Sequence, residues 1–238
     1  MYTKKFVHLW TKAYQIFSKR KTLIFVPSRY TGTRINQEYG IQKDRIIVLG
    51  EGYEHILRHH PDYSILRKHN LMQENYLLVV GGTTNKNFEL IINLLRRYES
   101  SIPKVVIAGD VDIKSFPEID NFNIELLGRV TDEELVALYK EAFAFLFPSI
   151  IEGFGIPPLE AMALSCPVIC SNATSLPEIC QEAALYCDPY DVDTLYKSII
   201  ILKDKTTRKD MIKRGVQRVH YFSWEKTAAN ILDNLGKV

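Results

Sequence analysis

The chain has 238 residues, of which 46% are hydrophobic and 24% are charged, and its formal net charge is +2. These values are ordinary for a folded globular protein and exclude a wholly disordered, collagen-like or disulfide-scaffold chain. No apolar run approaches the roughly 18–20 residues of a membrane-spanning helix.

The charge is distributed unevenly along the chain. Residues 1–70 hold 13 of the 30 lysines and arginines but only 5 of the 28 acidic residues. A basic front end favours a membrane surface or a polyanion as partner, or is simply a solvated basic face. The polar interruptions in residues 1–21 and the lack of a small-residue cleavage site argue against a signal peptide.

Short apolar runs alternate with helical patterns along the chain. The runs lie at 22–27, 45–50, 76–81, 104–109, 123–128, 144–148, 167–170 and 184–187. The helical patterns lie at 4–20, 87–99, 132–141, 157–164, 175–182, 191–203, 205–220 and 223–235. Continuous apolar runs are typical of strands buried on both faces. Their alternation with helices predicts an α/β fold with a doubly wound parallel sheet.

The same patterns divide the chain into four parts. Residues 1–50 hold too few elements for a domain and are interpreted as the end of one. Residues 51–75 are predicted to be a linker with one short helix. A complete α/β domain is predicted over 76–203, followed by C-terminal helices at 204–238 that pack back toward the N-terminal side.

The first helical pattern is amphipathic. Its apolar face is formed by Phe6, Leu9, Trp10, Ala13 and Phe17. Such a face suits either docking onto a neighbouring protein surface or an interfacial position on a membrane.

Four cysteines occur, without C-x-x-C spacing and with no histidine among them: Cys166, Cys170, Cys180 and Cys187. This pattern does not predict a zinc site. Their apolar neighbours favour small buried side chains, and a reducing compartment fits their use.

The most informative loop follows the run at 144–148 and reads SIIEGFGIPPLEAMA over 149–163. Its glycines, Gly153 and Gly155, allow positive φ and close approach of a ligand to backbone N–H groups. The two prolines that follow suit a first helical turn, and the N-terminus of that helix can bind phosphate.

Two acidic residues flank these glycines. Glu152 lies in the loop and Glu160 is placed in the first helical turn, so their carboxylates can converge on the hydroxyls of a sugar-like ligand. The alternatives are a solvated loop acid for Glu152 and a complement to the helix dipole for Glu160.

A second candidate loop reads GGTTNKNFELI over 81–91. Two glycines, then polar residues and Lys86 at a helix start, suit an anion, with the lysine as a point charge on phosphate. The spacing matches neither G-x-G-x-x-G nor the P-loop, so neither motif is assigned. The alternative for Lys86 is an ordinary surface lysine.

Metal-binding patterns are weak. Two D-x-D triplets occur at 110–112 and 191–193, and turn or cap chemistry accounts for both. His55 and His59 have i, i+4 spacing, but no third ligand accompanies them. No metal is predicted. The triplets leave open a metal-dependent sugar transferase of another fold, a reading that insensitivity to a chelator would oppose.

Taken in order, these segments resemble the C-terminal half of a GT-B glycosyltransferase, and within that fold the retaining "group 1" enzymes of family 4. The resemblance rests on GRVTDEELVALYKEAFAFLFPSIIEGFGIPPLEAMA (128–163) and SNATSLPE (171–178). The first segment holds the family's E-x7-E pattern at Glu152 and Glu160. YLLVVGG…KN (76–87) and FSWEKTAANIL (222–232) also match.

The resemblance implies a Rossmann-like domain that binds a nucleotide-diphosphate sugar, which is UDP- or GDP-linked. It places Glu160 on the ribose hydroxyls and assigns Glu152 to catalysis, near the reacting carbon of the donor sugar. It further implies backbone contacts from Gly153, Phe154 and Gly155 to the sugar and diphosphate. Leu159 is assigned to the donor site with its neighbours.

The remaining donor contacts follow from the same resemblance. It implies that Gly81, Gly82 and Lys86 neutralise the phosphates and that the loop at Arg129 and Val130 holds the base through its main chain. The family's arginine near Lys86 is absent here, which predicts weaker phosphate binding. No cofactor and no metal are expected, because cationic and N–H groups can stabilise the leaving diphosphate.

The implied reaction is retaining glycosyl transfer to a saccharide or lipid-linked acceptor, in cell-surface polysaccharide synthesis. The implied location is cytoplasmic, with possible peripheral contact at the inner face of the membrane. A GT-B-shaped sugar-nucleotide epimerase is disfavoured, because such enzymes lack the EGFGIPPLE arrangement.

The resemblance also implies an earlier domain of about 170 residues that carries the acceptor site. We therefore expect a donor half-site, in a fragment, a truncated product or one subunit of a split enzyme. The alternative is a non-catalytic nucleotide-sugar-binding subunit that needs a separate N-terminal half. A homo-oligomer is a further possible assembly, and no nucleic-acid partner is expected.

Overall fold

The computed structural model describes residues 4–20, 22–71, 73, 75–81, 84–111 and 116–236. The strands are β1 (Ile24–Val26), β2 (Ile46–Val48), β3 (Tyr76–Val80), β4 (Lys104–Ala108), β5 (Ile124–Gly128), β6 (Ala144–Phe147), β7 (Val168–Ser171) and β8 (Ala184–Cys187). The helices are α1 (Lys4–Lys19), α2 (Arg29–Tyr39), α3 (Ser64–Lys68), α4 (Phe88–Tyr98), α5 (Asp132–Glu141), α6 (Ile156–Ala163), α7 (Leu176–Cys180), α8 (Val192–Leu202), α9 (Lys205–Val219) and α10 (Trp224–Leu235).

The main sheet has six parallel strands in the order β5-β4-β3-β6-β7-β8. The chain builds outward from β3 through β4 to β5, then returns to place β6 on the other side of β3. It continues outward through β7 to β8. The predicted α/β class with a doubly wound parallel sheet is confirmed, and the winding reverses between β3 and β6.

Along a strand of the main sheet, neighbouring residues pack into two different cores, one on each face of the sheet. Leu78 pairs with Phe145 across β3 and β6, and both lie in the core that also contains α5, α6 and α7. Their neighbours Leu77 and Ala144 also pair, and both lie in the core with α4 and α8. Because side chains alternate along a strand, the continuous apolar runs supply both cores at once.

The segment at 51–75, predicted to be a linker, packs onto the main sheet. Tyr53, Ile56 and Ile65 are buried in the same core as Leu78. The segment also bonds to α5, because the Asp62 N–H donates to the Glu133 carbonyl at 3.0 Å. The limits of the domains stay a prediction.

The front of the chain forms a small unit of its own. Strands β1 and β2 pair in parallel, and α2 covers them over a core of Val26, Ile35 and Ile41. Helix α10 returns to this unit, where Asn230 Nδ2 donates to the carbonyl of Val48 at 3.3 Å. The C-terminal helix therefore joins the front unit to the rest of the chain.

The part of the chain that the structure describes holds neither a membrane-spanning helix nor a cluster of metal ligands. Among those residues, no helix combines the length and apolar character needed to cross a bilayer. Over the same ranges, no three His, Cys, Asp or Glu side chains gather to hold a metal ion. The four cysteines are buried and free, and burial raises the pKa of Cys166 and Cys187 to about 12.

A core substitution tests the burial of the central strands. Leu146 in β6 is wholly buried, so Leu146→Ala should leave a cavity and lower the free energy of unfolding by about 2–5 kcal/mol. Leu232→Ala on the exposed face of α10 is the matched control and should change it by no more than about 0.5 kcal/mol. Urea denaturation measures both, and equal effects would contradict the assignment of β6 to the centre of the core.

Candidate functional site

The sheet reverses its winding between β3 and β6, and the candidate site lies at the carboxyl ends of these two strands. In open α/β sheets, ligands bind in the crevice at this switch point. The loop after β3 carries Gly81 and Lys86, and the loop after β6 carries Glu152 and the glycines. The two loops that the sequence singled out therefore meet at one edge of the sheet.

The loop after β3 begins with a backbone turn that requires glycine. Gly81 has φ +86°, and its N–H donates to the Ala108 carbonyl at 2.7 Å. A Cβ on Gly109 would lie 3.0 Å from the Cα of Gly81, so the ends of β3 and β4 approach closely. Gly82, predicted to contact phosphate, lies outside the described residues.

Asn87 ties the loops together. It is buried with φ +57°, and its Nδ2 donates to the carbonyls of Pro148 at 3.1 Å and Pro189 at 2.7 Å. Beside it, the Ile150 N–H donates to the Asn85 carbonyl at 3.0 Å. These bonds fix the loop after β3 against the loops after β6 and β8.

Three consecutive carbonyls of the loop after β6 accept hydrogen bonds from hydroxyl groups. Ser175 Oγ lies 3.0 Å from the carbonyl of Glu152 and 2.8 Å from that of Phe154. The carbonyl of Gly153 accepts from Ser28 at 2.6 Å and from Thr31 at 3.1 Å. The acceptors of this loop are thus committed to partners within the protein.

Three N–H groups of the same loop are not committed, whereas those of Ile150 and Glu152 donate to the Asn85 carbonyl and the Thr174 hydroxyl. Within the described ranges, no residue accepts a hydrogen bond from the backbone N–H of Gly153, Phe154 or Gly155. Gly155 is the N-cap of α6, and prolines occupy the second and third helical positions, as predicted for the first turn. Because proline has no N–H, the free N–H groups belong to the loop just before α6, where the positive end of the helix dipole favours an anion.

Lys86 and Glu152 meet across the switch point. Lys86 Nζ lies 2.8 Å from Glu152 Oε1, and it also lies 4.3 Å above the centre of the Phe147 ring. The two side chains are only 23% and 17% exposed. Lys86 is therefore not an ordinary surface lysine, and Glu152 is not a solvated loop acid.

A cleft of about 290 Å³ lies on the loop after β6. Its walls include Glu152, Gly153, Phe154 and Gly155, which were predicted to bind the donor, together with Pro27 and Glu51 from the front unit. Burial raises the pKa of the Glu51 carboxyl above its ordinary value. The cleft thus lies between the front unit and the loop after β6.

Glu160 lies deeper, one turn into α6 rather than in its first turn, because the helix begins at Ile156. His55 Nε2 lies 2.7 Å from Glu160 Oε1, and the Tyr139 hydroxyl donates to Oε2 at 3.3 Å. Burial, with Glu160 next, raises the pKa of Tyr139 well above its ordinary value. Leu159, predicted to lie at the donor site, is wholly buried and has no surface open to a ligand.

The loop predicted to hold a base lies at the end of β5. Arg129 and Val130 precede the N-cap of α5, and Arg129 Nε bonds Asp110 Oδ2 at 2.8 Å on the surface. Asp112, the second acid of that D-x-D triplet, lies outside the described residues. Asp191 of the other triplet caps α8 by accepting from the N–H of Asp193 at 2.9 Å, as cap chemistry predicted.

Several residues at the site were not predicted. Glu178 accepts from the first two N–H groups of α2, those of Arg29 and Tyr30, at 3.0 and 3.1 Å. The partners of Glu160, His55 and Tyr139, were also missed. An N-cap pattern at the start of α2 could have indicated Ser28, but no sequence signal joins His55 to Glu160.

The chain matches a known protein family over more than half of its length. Residues 64–218 match the family described as "Glycosyl transferases group 1". O-antigen chain mannosyltransferase B of Escherichia coli is 44% identical over 46% of this chain and 29% of its own length. O-antigen chain mannosyltransferase RfbU of Salmonella typhimurium is 35% identical over 54% of this chain and 40% of its own. The aligned part is less than half the length of each relative.

Solved structures share the fold. The HepE protein of Anabaena, solved with UDP and glucose, has a TM-score of 0.81 over 96% of this chain and 66% of its own, at 15% identity. Sucrose-phosphate synthase of Thermosynechococcus elongatus has a TM-score of 0.72 over 90% of this chain and 58% of its own, at 22% identity. The resemblance to GT-B glycosyltransferases of group 1 is confirmed.

A pair of glycine substitutions tests the backbone of the loop after β6. Gly155 has φ +125°, and a Cβ there would lie 2.9 Å from the buried Leu176 side chain, so Gly155→Ala should cost roughly 1–3 kcal/mol of stability. In Gly153→Ala the nearest atom would lie at 3.7 Å, and stability should barely change. Thermal unfolding compares the variants, and a tolerated Gly155→Ala would refute the strained turn.

Proposed function

Because the chain belongs to the group 1 glycosyl transferases, we propose that the cleft on its loop after β6, beside the switch point, binds the nucleoside diphosphate of a sugar donor for glycosyl transfer. The observation that carries this proposal is the 2.8 Å pair of Lys86 and Glu152 across the switch point. It sets a cation beside a hydroxyl acceptor where ligands bind in such sheets. Both groups belong to loops that are hydrogen-bonded to each other.

The diphosphate is proposed to bind at the N-terminus of α6. The free N–H groups of Gly153, Phe154 and Gly155 face no acceptor among the described residues, and Lys86 supplies a positive charge beside them. On binding, the lysine would pass from the Glu152 carboxylate to a phosphate oxygen. The exchange keeps a partner for the partly buried ammonium group, which would be costly to leave unpaired.

The sugar and ribose are proposed to contact the two glutamates. Glu152, released from Lys86, would accept from hydroxyls of the donor sugar near the reacting carbon. Glu160 would accept from the ribose hydroxyls. Each carboxylate has about four lone-pair sites, so Glu160 retains free sites beyond those taken by His55 and Tyr139.

The same groups would lower the barrier to transfer. Negative charge develops on the diphosphate as it leaves, and preorganised N–H groups and a lysine stabilise that charge. The reaction is therefore proposed to need no metal. Retention of the anomeric configuration stays a prediction of the family resemblance, as does the assignment of Arg129 and Val130 to the base.

The substrates are proposed from the relatives. Two curated relatives are named O-antigen mannosyltransferases, which favours a mannosyl group and a growing surface polysaccharide or lipid-linked saccharide as acceptor. The HepE structures, solved with UDP and UDP-glucose, favour a nucleotide sugar in general. A site at the inner membrane face also stays a prediction.

Nucleotide binding gives the first test. UDP, GDP or ADP at 100 times its dissociation constant should stabilise the chain by about 2.7 kcal/mol, measured as a rise in thermal midpoint. Glu160→Gln removes a charged acceptor for ribose and should weaken binding by roughly 1.5–3 kcal/mol. Glu182→Gln, whose side chain is 94% exposed, makes the same charge change and should bind normally. Stabilisation by none of the three nucleotides would refute the proposal.

Transfer gives the second test. The chain is incubated with GDP-mannose or UDP-glucose and a saccharide acceptor, and release of the nucleoside diphosphate is measured. Activity should fall at least tenfold in Glu152→Gln, because an amide is a weaker acceptor than a carboxylate for hydroxyls of the donor. Binding without transfer would instead favour the predicted alternative, a nucleotide-sugar-binding subunit.

A further inference from the structure

The carboxylate of Glu160 is held on both oxygens. His55 Nε2 lies 2.7 Å from Oε1, and the Tyr139 hydroxyl donates to Oε2 at 3.3 Å. The Glu160 side chain is only 11% exposed, and a carboxylate buried to this degree needs such partners. His55 is the more exposed of the pair, at 43%.

Trp224 determines which nitrogen of His55 carries the proton. The indole Nε1 lies 3.4 Å from His55 Nδ1, and an indole N–H can only donate. Nδ1 therefore accepts, and in the neutral ring the proton lies on Nε2. His55 then donates this proton to Glu160, which makes the contact with Oε1 a directed hydrogen bond.

Trp224 is itself fixed at the start of α10. Its backbone N–H donates to the Glu54 carboxylate, whose oxygens lie at 3.1 and 3.2 Å. The backbones also approach closely here, since a Cβ on Gly52 would lie 2.3 Å from the Trp224 nitrogen. A relay of contacts thus runs from α10 through Trp224 and His55 to Glu160 in α6.

We infer that His55, oriented by Trp224, is a positioning residue that holds the Glu160 carboxylate ready to accept from the two ribose hydroxyls. The inference rests on the proposed function, in which Glu160 receives the ribose. With one lone pair of each oxygen occupied by His55 or Tyr139, each oxygen keeps a free site. Two acceptor sites side by side match the two donors of a vicinal diol.

If His55 competed with the ribose instead of positioning Glu160, removing its imidazole would change nucleotide affinity in the opposite direction. If His55 occupied the place of a ribose hydroxyl, a nucleotide would have to displace it, and removing the imidazole would strengthen binding. If His55 were merely structural, its removal would weaken binding of nucleotides with and without ribose hydroxyls equally. Only a positioning role weakens binding selectively for the nucleotide that carries the hydroxyls.

The experiment measures dissociation constants of the full chain for UDP and GDP, each beside its 2′,3′-dideoxy counterpart. His55→Ala should weaken binding of the ribonucleotide that binds the wild type by roughly 10-fold and leave its dideoxy counterpart unchanged. His55→Gln keeps an N–H donor and should recover part of the loss. Trp224→Phe removes the indole donor and should weaken binding of the ribonucleotide by a smaller factor than His55→Ala does.

His59→Ala is the matched control. His59 bonds Glu133 at 2.8 Å, away from Glu160, so both classes of nucleotide should bind this variant as they bind the wild type. Tighter ribonucleotide binding in His55→Ala, or an equal loss for both classes, would overturn the inference. If the wild type itself does not distinguish ribose from dideoxyribose, the proposed role of Glu160 fails, and the inference fails with it.

Discussion

The hydrogen bonds that join the loop after β3 to the loop after β6 hold the site together. Where a parallel sheet winds both ways from its centre, the loops after its two central strands run in opposite directions, and their backbone groups need partners. Asn87 supplies them by donating to the carbonyls of Pro148 and Pro189. These hydrogen bonds hold the loops in place at the point where the winding reverses.

In the loop after β6, the carbonyl groups are bonded within the protein, and three N–H groups are left free for a ligand. Its carbonyls accept hydrogen bonds from hydroxyl groups. Ser175 donates from one side, and Ser28 and Thr31 donate from the front unit. The N–H groups of Gly153, Phe154 and Gly155 are left to bind a ligand, and they lie at a helix start whose dipole favours an anion. Lys86 and Glu152 neutralise each other beside them at 2.8 Å. We propose that this hydrogen-bonded backbone and the Lys86–Glu152 pair together make a site that is preorganised for a phosphate.

The strands of the main sheet and the loops that follow them could be predicted from the sequence, because both depend on local signals. Continuous apolar runs such as 144–148 need burial on two faces, and the glycines and prolines after them permit few backbone paths. Contacts between distant segments carry no such signal. His55 is 105 residues from Glu160, and Ser28 is 125 from Gly153. Only the folded chain brings these residues together, and the segment at 51–75 shows the same, with its buried side chains spread among polar ones.

A crystal structure of the chain with bound nucleoside diphosphate tests the central claim most directly. We expect diphosphate oxygens within hydrogen-bond distance of the Gly153–Gly155 N–H groups and of Lys86 Nζ, with the lysine no longer bonded to Glu152. We also expect both ribose hydroxyls on Glu160, with His55 still in contact with Oε1. A nucleotide bound elsewhere, with the Lys86–Glu152 pair intact, would contradict the account.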